Sequence, residues 1–136
     1  MRSFDHKTEL TVDQPAGAAL FVRRTILNDL SALDERFPMF FSDVDLCKRI
    51  KDLGFIIRFY PNIIVHHKGG STIINRRVPM IITSHISMIK YFFKHYNGSR
   101  YLMPNILIAI SLFIGIPIRI LIYFILPNDR RMRRTL

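Results

Sequence analysis

The 136-residue sequence has little of what stabilises small secreted proteins. Its single cysteine, Cys47, excludes an internal disulfide and favours a reducing compartment. Cys47 falls on the apolar face of a predicted helix, which predicts a buried thiol without a catalytic role. The first 14 residues are mostly polar and contain no apolar run, so no secretory signal is predicted and the amino-terminal end is expected in the cytosol.

Acidic residues are also scarce. Ten Asp and Glu stand against 20 Lys and Arg, which gives a formal net charge of +10 and predicts a negatively charged partner or surface. Hydrophobic residues nevertheless make up 49% of the chain. The arginines cluster beside the most apolar segment, where anionic lipids attract them. Composition therefore favours a membrane surface as the partner, and no nucleic-acid partner is predicted.

Four regions follow from the pattern of apolar residues and turns: residues 1–77, 78–98, 99–127 and 128–136. The first region alternates short apolar runs with turns, which predicts an α/β fold. Its predicted elements are a buried strand at Ala18–Val22, a short helix through Ile26, Leu27 and Leu30, a helix from Ser42 to Gly54, and strands in "FIIRFY" and "IIVHH".

The helix that follows Ser42 is the best marked in the sequence. Ser42 is predicted as its N-cap, with Asp45 as the reciprocal capping acid three residues later. Gly54 is predicted to end it. Two acids in the first turn, Asp43 and Asp45, are explained by the helix alone, because carboxylates offset the positive end of the helix dipole by about 0.3 to 1 kcal/mol each. A catalytic role needs further support.

The last three regions predict an amphipathic helix, an apolar membrane-associated segment and a basic tail. Apolar residues recur at helical spacing from Ile82 to Tyr96, and the stripe is expected to pack on something apolar. Residues 106–126 are almost wholly apolar and reach the roughly 20 residues that cross a bilayer. Pro117 and Arg119 interrupt that run. A crossing helix, a bent hairpin or in-plane helix on the cytosolic face, and a buried helix of a soluble domain all remain open.

Two stretches together carry a resemblance to a known family. These are "GAALFVRR" and "LDERFPMFFSDVDLCKRIKDLGFIIRFYPNIIVHHKGGST", within Val12–Thr72. In order, spacing and residue type they resemble the carboxyl half of the catalytic domain of family 2 glycosyltransferases, in the rhamnosyltransferase-like branch. The resemblance implies part of a GT-A nucleotide-sugar-binding fold. It also implies transfer of a sugar from a nucleotide-sugar donor to a cell-surface polysaccharide or lipid-linked acceptor, at the cytoplasmic face of the cell membrane.

The resemblance assigns roles to individual residues. Asp43 would be the general base that takes a proton from the acceptor hydroxyl. His66, or less readily His67, would help to bind a divalent metal, Mn²⁺ or Mg²⁺, together with the diphosphate. The implied substrate-binding set consists of Gly17 and Ala18 under the sugar, Ser42 and Asp45 beside Asp43, and Lys68 with the glycine loop 69–70 at the phosphates.

Three departures from the family pattern qualify these assignments. Ser42 stands where the family usually has Glu, and Ser31-Ala32 stands where it often has a glycine pair. The family's nucleotide-binding half, with its metal-binding Asp-x-Asp, has no counterpart before Val12. "DVD" at 43–45 opens a helix, so it is assigned to the base site instead. A separate amino-terminal donor-binding polypeptide is therefore an expected partner, and the alternative is a noncatalytic membrane-bound remnant or scaffold.

Overall fold

A computed structural model describes residues 6–67 and 76–125. The chain divides into two compact units, Met1–Ser71 and Thr72–Leu136. The predicted glycine loop at 69–70 and the basic tail at 128–136 lie outside the described residues.

The first unit combines short helices with a small sheet. Strand β1 (Leu10–Val12) pairs antiparallel with β2 (Ile57–Phe59), with Leu10 opposite Phe59 and Val12 opposite Ile57. Between the strands lie a single 3₁₀ turn (Gly17–Ala19), helix α1 (Arg24–Asp29) and helix α2 (Ser42–Asp52). The predicted mixture of helix and strand is present. Two strands of three residues are too little to identify a GT-A sheet, so the partial GT-A fold stays a prediction.

A compact core forms where α2 packs against α1 and β2. The predicted stripe of α2 supplies most of it, because residues three and four apart share one face of a helix. Leu53, the last predicted member of the stripe, is half exposed. The helix ends before Gly54, whose φ of +84° is a conformation that glycine adopts without steric cost. The buried core residues are Ile26, Leu46, Cys47, Ile50 and Ile57.

The predicted strand at Ala18–Val22 was wrong. Its first two residues belong to the 3₁₀ turn, and Leu20, which is extended, and the residues up to Arg23 join neither strand of the sheet. A strand forms only where a neighbour supplies hydrogen bonds, and local sequence does not reveal whether that neighbour is present. The strand predicted in "IIVHH" was wrong for the same reason. Strand β1 was not predicted, because it is a short run among polar residues.

The predicted cap of α2 was also wrong. Phe41 is the N-cap, in the left-handed conformation with φ 69°, and its side chain makes no capping hydrogen bond. Ser42 is instead the first helical residue. The carboxylate of Asp45 does not reach back as a capping acid, because it pairs with Arg49 one turn further along the helix.

The turn after α1 holds two non-glycine residues in the left-handed region. Ser31 and Ala32 have φ values of 55° and 59°. These are the positions where the family pattern often has glycines, and a side chain there costs roughly 1 kcal/mol per residue. The structure thus gives a physical reason for that pattern.

We expect the double change Ser31→Gly and Ala32→Gly to stabilise the first unit by about 1 kcal/mol, after the added entropy of the unfolded glycine chain is subtracted. Chemical denaturation compared with the parent chain measures the change. The control, Leu33→Gly, alters the same turn at a residue outside the left-handed region and should destabilise the unit. Destabilisation by the double change to the same extent as by the control would contradict the strain at Ser31 and Ala32.

The second unit contains two helices that pair antiparallel. Helix α3 (Arg77–His95) lies where the amphipathic helix was predicted, and α4 (Ser99–Ile125) covers most of the predicted apolar segment as one helix that includes Pro117. The guanidinium of Arg77 lies 5.5 Å from the ring centre of Tyr123. At the opposite end, the side-chain amide of Asn105 donates to the carbonyl of Tyr96 at 2.7 Å. The helices therefore contact each other along their length.

Polar groups lie on the inner side of this helix pair and apolar groups on the outer side. His85 is buried, and its Nδ1 donates to the carbonyl of Ile81 at 2.7 Å, because a carbonyl can only accept. Its Nε2 faces Gly115, where an added Cβ would lie 3.7 Å away. Ile82, Ile86 and Phe93 of the predicted apolar stripe are exposed. Small and polar residues between helices with apolar residues outside are typical of helix pairs in membranes.

Among the described residues, α4 is the one helix that is long and apolar enough to cross a membrane. Large hydrophobic side chains are exposed on it from Leu102 and Leu107 through Phe113 to Phe124, and Arg119 is an exposed charge within this run. Length and composition support membrane association of this helix.

Candidate functional site

The carboxylate of Asp43 is held in place by three hydrogen bonds at the start of α2. Its Oδ2 accepts from the backbone N–H of Gly17 at 2.8 Å and from the side-chain amide of Gln14 at 3.3 Å. Its Oδ1 accepts from the N–H of Val44 at 2.9 Å. A carboxylate has about four lone-pair positions, so it retains room for another donor. Asp43 is half-buried, which leaves it open to a ligand.

Gly17 is a glycine because Asp43 lies against it. A Cβ at position 17 would stand 3.0 Å from the Cβ of Asp43 and 3.3 Å from its Oδ2. Such contacts are tighter than most real Cβ contacts, so the Asp43 side chain would have to shift by a few tenths of an ångström relative to the N–H that holds it. The structure therefore brings together two residues that the sequence placed in one site, and it gives Gly17 a positioning role that the sequence did not reveal.

Backbone strain occurs two residues before Asp43. Phe41, with φ 69°, is a bulky residue in a region that such residues rarely occupy, at a cost of about 1 to 3 kcal/mol. This conformation turns the chain into α2, so that Asp43 falls in the first turn beside Gly17. Strain of this kind often accompanies functional sites, which motivates a functional role for Asp43 beyond helix stabilisation.

Asp45 belongs to the framework under this site. It is fully buried, and its Oδ2 accepts from Nε of Arg49 at 2.8 Å. The guanidinium of Arg49 also donates to the carbonyls of Leu30 and Ala32, at 2.7 and 2.8 Å. The ion pair thus ties α2 to the strained turn after α1. The sequence predicted a substrate-binding role for Asp45, and its burial points to positioning.

Cys47 occupies the core side of the same helix, as predicted for a buried thiol. Burial raises the pKa of Cys47, and the nearby charge of Asp43 raises it further. A thiol with a raised pKa is a poor nucleophile at neutral pH, so the raised value favours a packing role.

The remaining predicted residues are less closely connected. Ala18 is exposed in the turn next to Gly17, and Ser42 is half-buried at the first position of α2. His66 and His67 are exposed in an irregular segment after β2. Lys68 lies outside the described residues. These substrate and metal roles stay predictions.

The predicted divalent metal lacks a complete ligand set in the described part of the chain. Across residues 6–67 and 76–125, no group of three or more His, Cys, Asp or Glu side chains could hold a metal ion. His66 and His67 supply at most two imidazole donors. These residues alone therefore do not fit a Mn²⁺ or Mg²⁺ site, because such ions take several oxygen ligands in octahedral arrangements.

Sequence reasoning missed Gln14. Its side-chain amide bonds to Asp43 and also donates to the carbonyl of Pro15 at 2.8 Å, so it bridges the loop before the turn to the carboxylate. The contact joins residues 29 positions apart, and no local pattern announces it.

Comparison with known proteins gives a partial match. The chain is 35% identical over 66 residues to N-acetylglucosaminyl-diphospho-decaprenol L-rhamnosyltransferase from two strains of Mycobacterium tuberculosis, CDC 1551/Oshkosh and ATCC 25618/H37Rv. The match covers 48% of this chain and 22% of each relative. No family model matches, and no solved structure matches. Over about half of its length, this chain is glycosyltransferase-like.

Proposed function

We propose that the chain is the acceptor-side part of a membrane-associated glycosyltransferase, with Asp43 as the general base. The observation that carries the proposal is the carboxylate of Asp43, fixed by the N–H of Gly17 at the first turn of α2. The partial match to a rhamnosyltransferase supports sugar transfer as the chemistry.

The proposed reaction is a displacement at the anomeric carbon of the donor sugar. The acceptor oxygen forms a bond to that carbon as the bond to the nucleoside diphosphate breaks, and the diphosphate leaves with the electron pair. The proton of the acceptor hydroxyl passes to Asp43. A carboxylate suits this role because the hydroxyl becomes acidic only as it attacks, so a weak base in the right position is sufficient.

A lipid-linked acceptor fits the second unit. The mycobacterial relative is named for an acceptor in which N-acetylglucosamine is joined through a diphosphate to decaprenol. A polyprenyl chain stays in the bilayer, and α4 exposes apolar side chains that suit the same environment. Membrane association on the cytoplasmic side would bring Asp43 to the acceptor by restricting both to one surface.

The donor-binding half is proposed to come from elsewhere. The match covers only 22% of each relative, so most of each relative lies outside the match. We propose that this missing part binds the nucleotide sugar and supplies most ligands of the metal site. His66 or His67, Lys68 and the small residues Gly17 and Ala18 would lie at its border.

A reconstitution experiment tests this function. The full chain is combined with the part of the mycobacterial relative that lies outside the match, and release of nucleoside diphosphate from a nucleotide-linked rhamnose is measured. We expect release that depends on a lipid-linked N-acetylglucosaminyl diphosphate and exceeds the sum of the two halves alone. The noncatalytic scaffold would instead add nothing to the donor-binding half.

Membrane association is tested by vesicle flotation of the full chain. We expect the double change Leu107→Asp and Phe113→Asp to lower the floated fraction strongly, because each Asp at the centre of a membrane helix costs about 3 kcal/mol. The control, Leu53→Asp, replaces a comparably exposed residue of the first unit and should float like the parent chain. Flotation that survives the double change would show that α4 is not the membrane element.

A further inference from the structure

The first unit contains an open apolar groove outside the Asp43 site. Its volume is about 720 Å³, and it runs between two stretches of chain, residues 15–23 and 55–65. Core residues Ile26 and Ile50 lie at its floor. On its rim, Phe21 is 84% exposed and Ile56 61% exposed.

Exposure on this scale is unusual for a surface that faces water. Ile63 and Val65 continue the apolar rim on the side of β2. Soluble proteins rarely expose contiguous apolar patches of this kind unless another molecule binds there. Single exposed leucines are common on soluble proteins and need no explanation. A continuous apolar groove that reaches core residues does need one.

One wall of the groove has the sequence of a buried strand, and its backbone is extended at Leu20, directly after the 3₁₀ turn. The segment Ala18–Val22 is wholly apolar. Leu20 has φ −115° and ψ 115°, which is extended, yet the segment belongs to neither strand of the described sheet. The sequence is that of a buried, paired strand, whereas in the structure Phe21 is exposed and the segment pairs with neither strand. A further strand that paired with the segment and covered Phe21 would remove this difference.

We propose that the groove receives an extended apolar segment from the donor-binding half of the enzyme, which adds a strand alongside Leu20–Arg23. This inference rests on the proposed function. Strand addition supplies main-chain hydrogen bonds for affinity and seats alternate side chains in pockets for specificity. The proportion of each relative outside the match, 78% (100% less the 22% matched), leaves ample chain to provide the segment.

The position of the groove explains why docking there would matter for catalysis. Pro15, Ala16 and Ala18 line one end of it, and they flank Gly17, whose N–H holds Asp43. A donor-binding half docked in the groove would therefore lie beside the proposed base Asp43, where the donor sugar must be placed.

A protein segment fits this groove better than a lipid surface does. The groove is concave, and an extended backbone at its wall offers N–H and C=O groups that hydrocarbon cannot satisfy. A membrane covering the same rim is the competing occupant, and binding and flotation measurements on the same variants separate the two.

The experiment measures association of the full chain, in detergent, with the separately produced remainder of the mycobacterial relative. Phe21→Asp and Ile56→Asp should each weaken binding about tenfold or more, since buried aromatic and aliphatic anchors carry most of the energy of an interface. The matched controls are Leu33→Asp and Leu53→Asp, which are 53% and 52% exposed and do not line the groove. These should bind like the parent chain.

Three results would overturn the inference. The first is the absence of binding by the parent chain, and the second is equal binding by the groove and control variants. The third is a loss of vesicle flotation in Phe21→Asp with binding to the donor-binding half unchanged, which would assign the groove to the membrane. Because Phe21 is exposed, thermal unfolding of the variant should match that of the parent, so a folding defect would be visible separately.

Failure of this inference can be told apart from failure of the proposed function. When the two halves are fused through a flexible linker, the raised effective concentration should restore turnover to Phe21→Asp. Asp43→Asn should bind the donor-binding half normally and stay inactive even when fused. Turnover by the fused parent together with unimpaired binding by Phe21→Asp would overturn the docking site alone.

Discussion

Replacing Asp43 with Asn in the reconstituted enzyme is expected to lower turnover by about 10²- to 10⁴-fold, the usual contribution of a positioned general base. The amide oxygen of Asn can still accept from Gly17, while its NH₂ group replaces the oxygen that accepts from Val44, so the side chain keeps the bond to Gly17 and loses the ability to take a proton. The measurement is acceptor-dependent release of nucleoside diphosphate. Stability should change little, because the helix dipole loses only about 0.3 to 1 kcal/mol of stabilisation.

The matched control is Asp52→Asn at the other end of the same helix. Asp52 accepts from Lys48 at 2.6 Å in an exposed pair, far along α2 from Gly17. An exposed pair of this kind contributes about 1 kcal/mol or less. Turnover should therefore be unchanged in the control. If Asp43→Asn keeps activity within a few-fold of the parent, Asp43 is a helix-stabilising residue and the proposed base is wrong.

Helix α2 shows what the sequence can predict. Its start was predicted to within one residue, and its end before Gly54 and most of its buried face were evident, because helix periodicity and a terminal glycine are local signals. The predicted role of Asp43 as a general base came from the family resemblance, which also placed Gly17 in the same site. The hydrogen bond that links them did not, since it joins residues 26 positions apart.

The predictions that were wrong share one physical cause. Each feature depends on contacts or on a backbone conformation that the local sequence does not specify. The segment Ala18–Val22 has the composition of a buried strand, but a strand requires a partner that local sequence does not contain. The cap of α2 depends on the left-handed backbone of Phe41, a residue type that gives no sign of that conformation. Asp45 was assigned to the cap and the substrate for the same reason, because its partner Arg49 became evident only in the structure.

The inner face of the second unit gives a related lesson. The stripe of α3 predicted an apolar contact, yet Ile82 and Ile86 are exposed and His85 is buried. A pattern of apolar residues identifies a helix face that avoids water, but it does not say whether protein or lipid covers that face. Contact between α3 and α4 uses another side of α3, which includes the buried His85.

Removing the carboxylate of Asp45 is expected to have the largest effect on stability. Asp45→Ala leaves the guanidinium of Arg49 partly buried without its counter-charge, and breaking a buried pair in this way costs about 3 to 5 kcal/mol. The double variant Asp45→Leu with Arg49→Met removes both charges and should recover much of that loss. It should not recover all of it, because the bonds from Arg49 to the carbonyls of Leu30 and Ala32 are also lost.

The single cysteine provides the measurement. Cys47 is buried on the same helix as Asp45, so a thiol reagent reaches it only when the first unit opens. A loss of about 3 to 5 kcal/mol raises the open population, and hence the labelling rate, by roughly two to four orders of magnitude. Asp52→Ala, which breaks only the exposed pair with Lys48, should change that rate less than about tenfold. Similar labelling rates for Asp45→Ala and Asp52→Ala would show that the buried pair does not hold the first unit together.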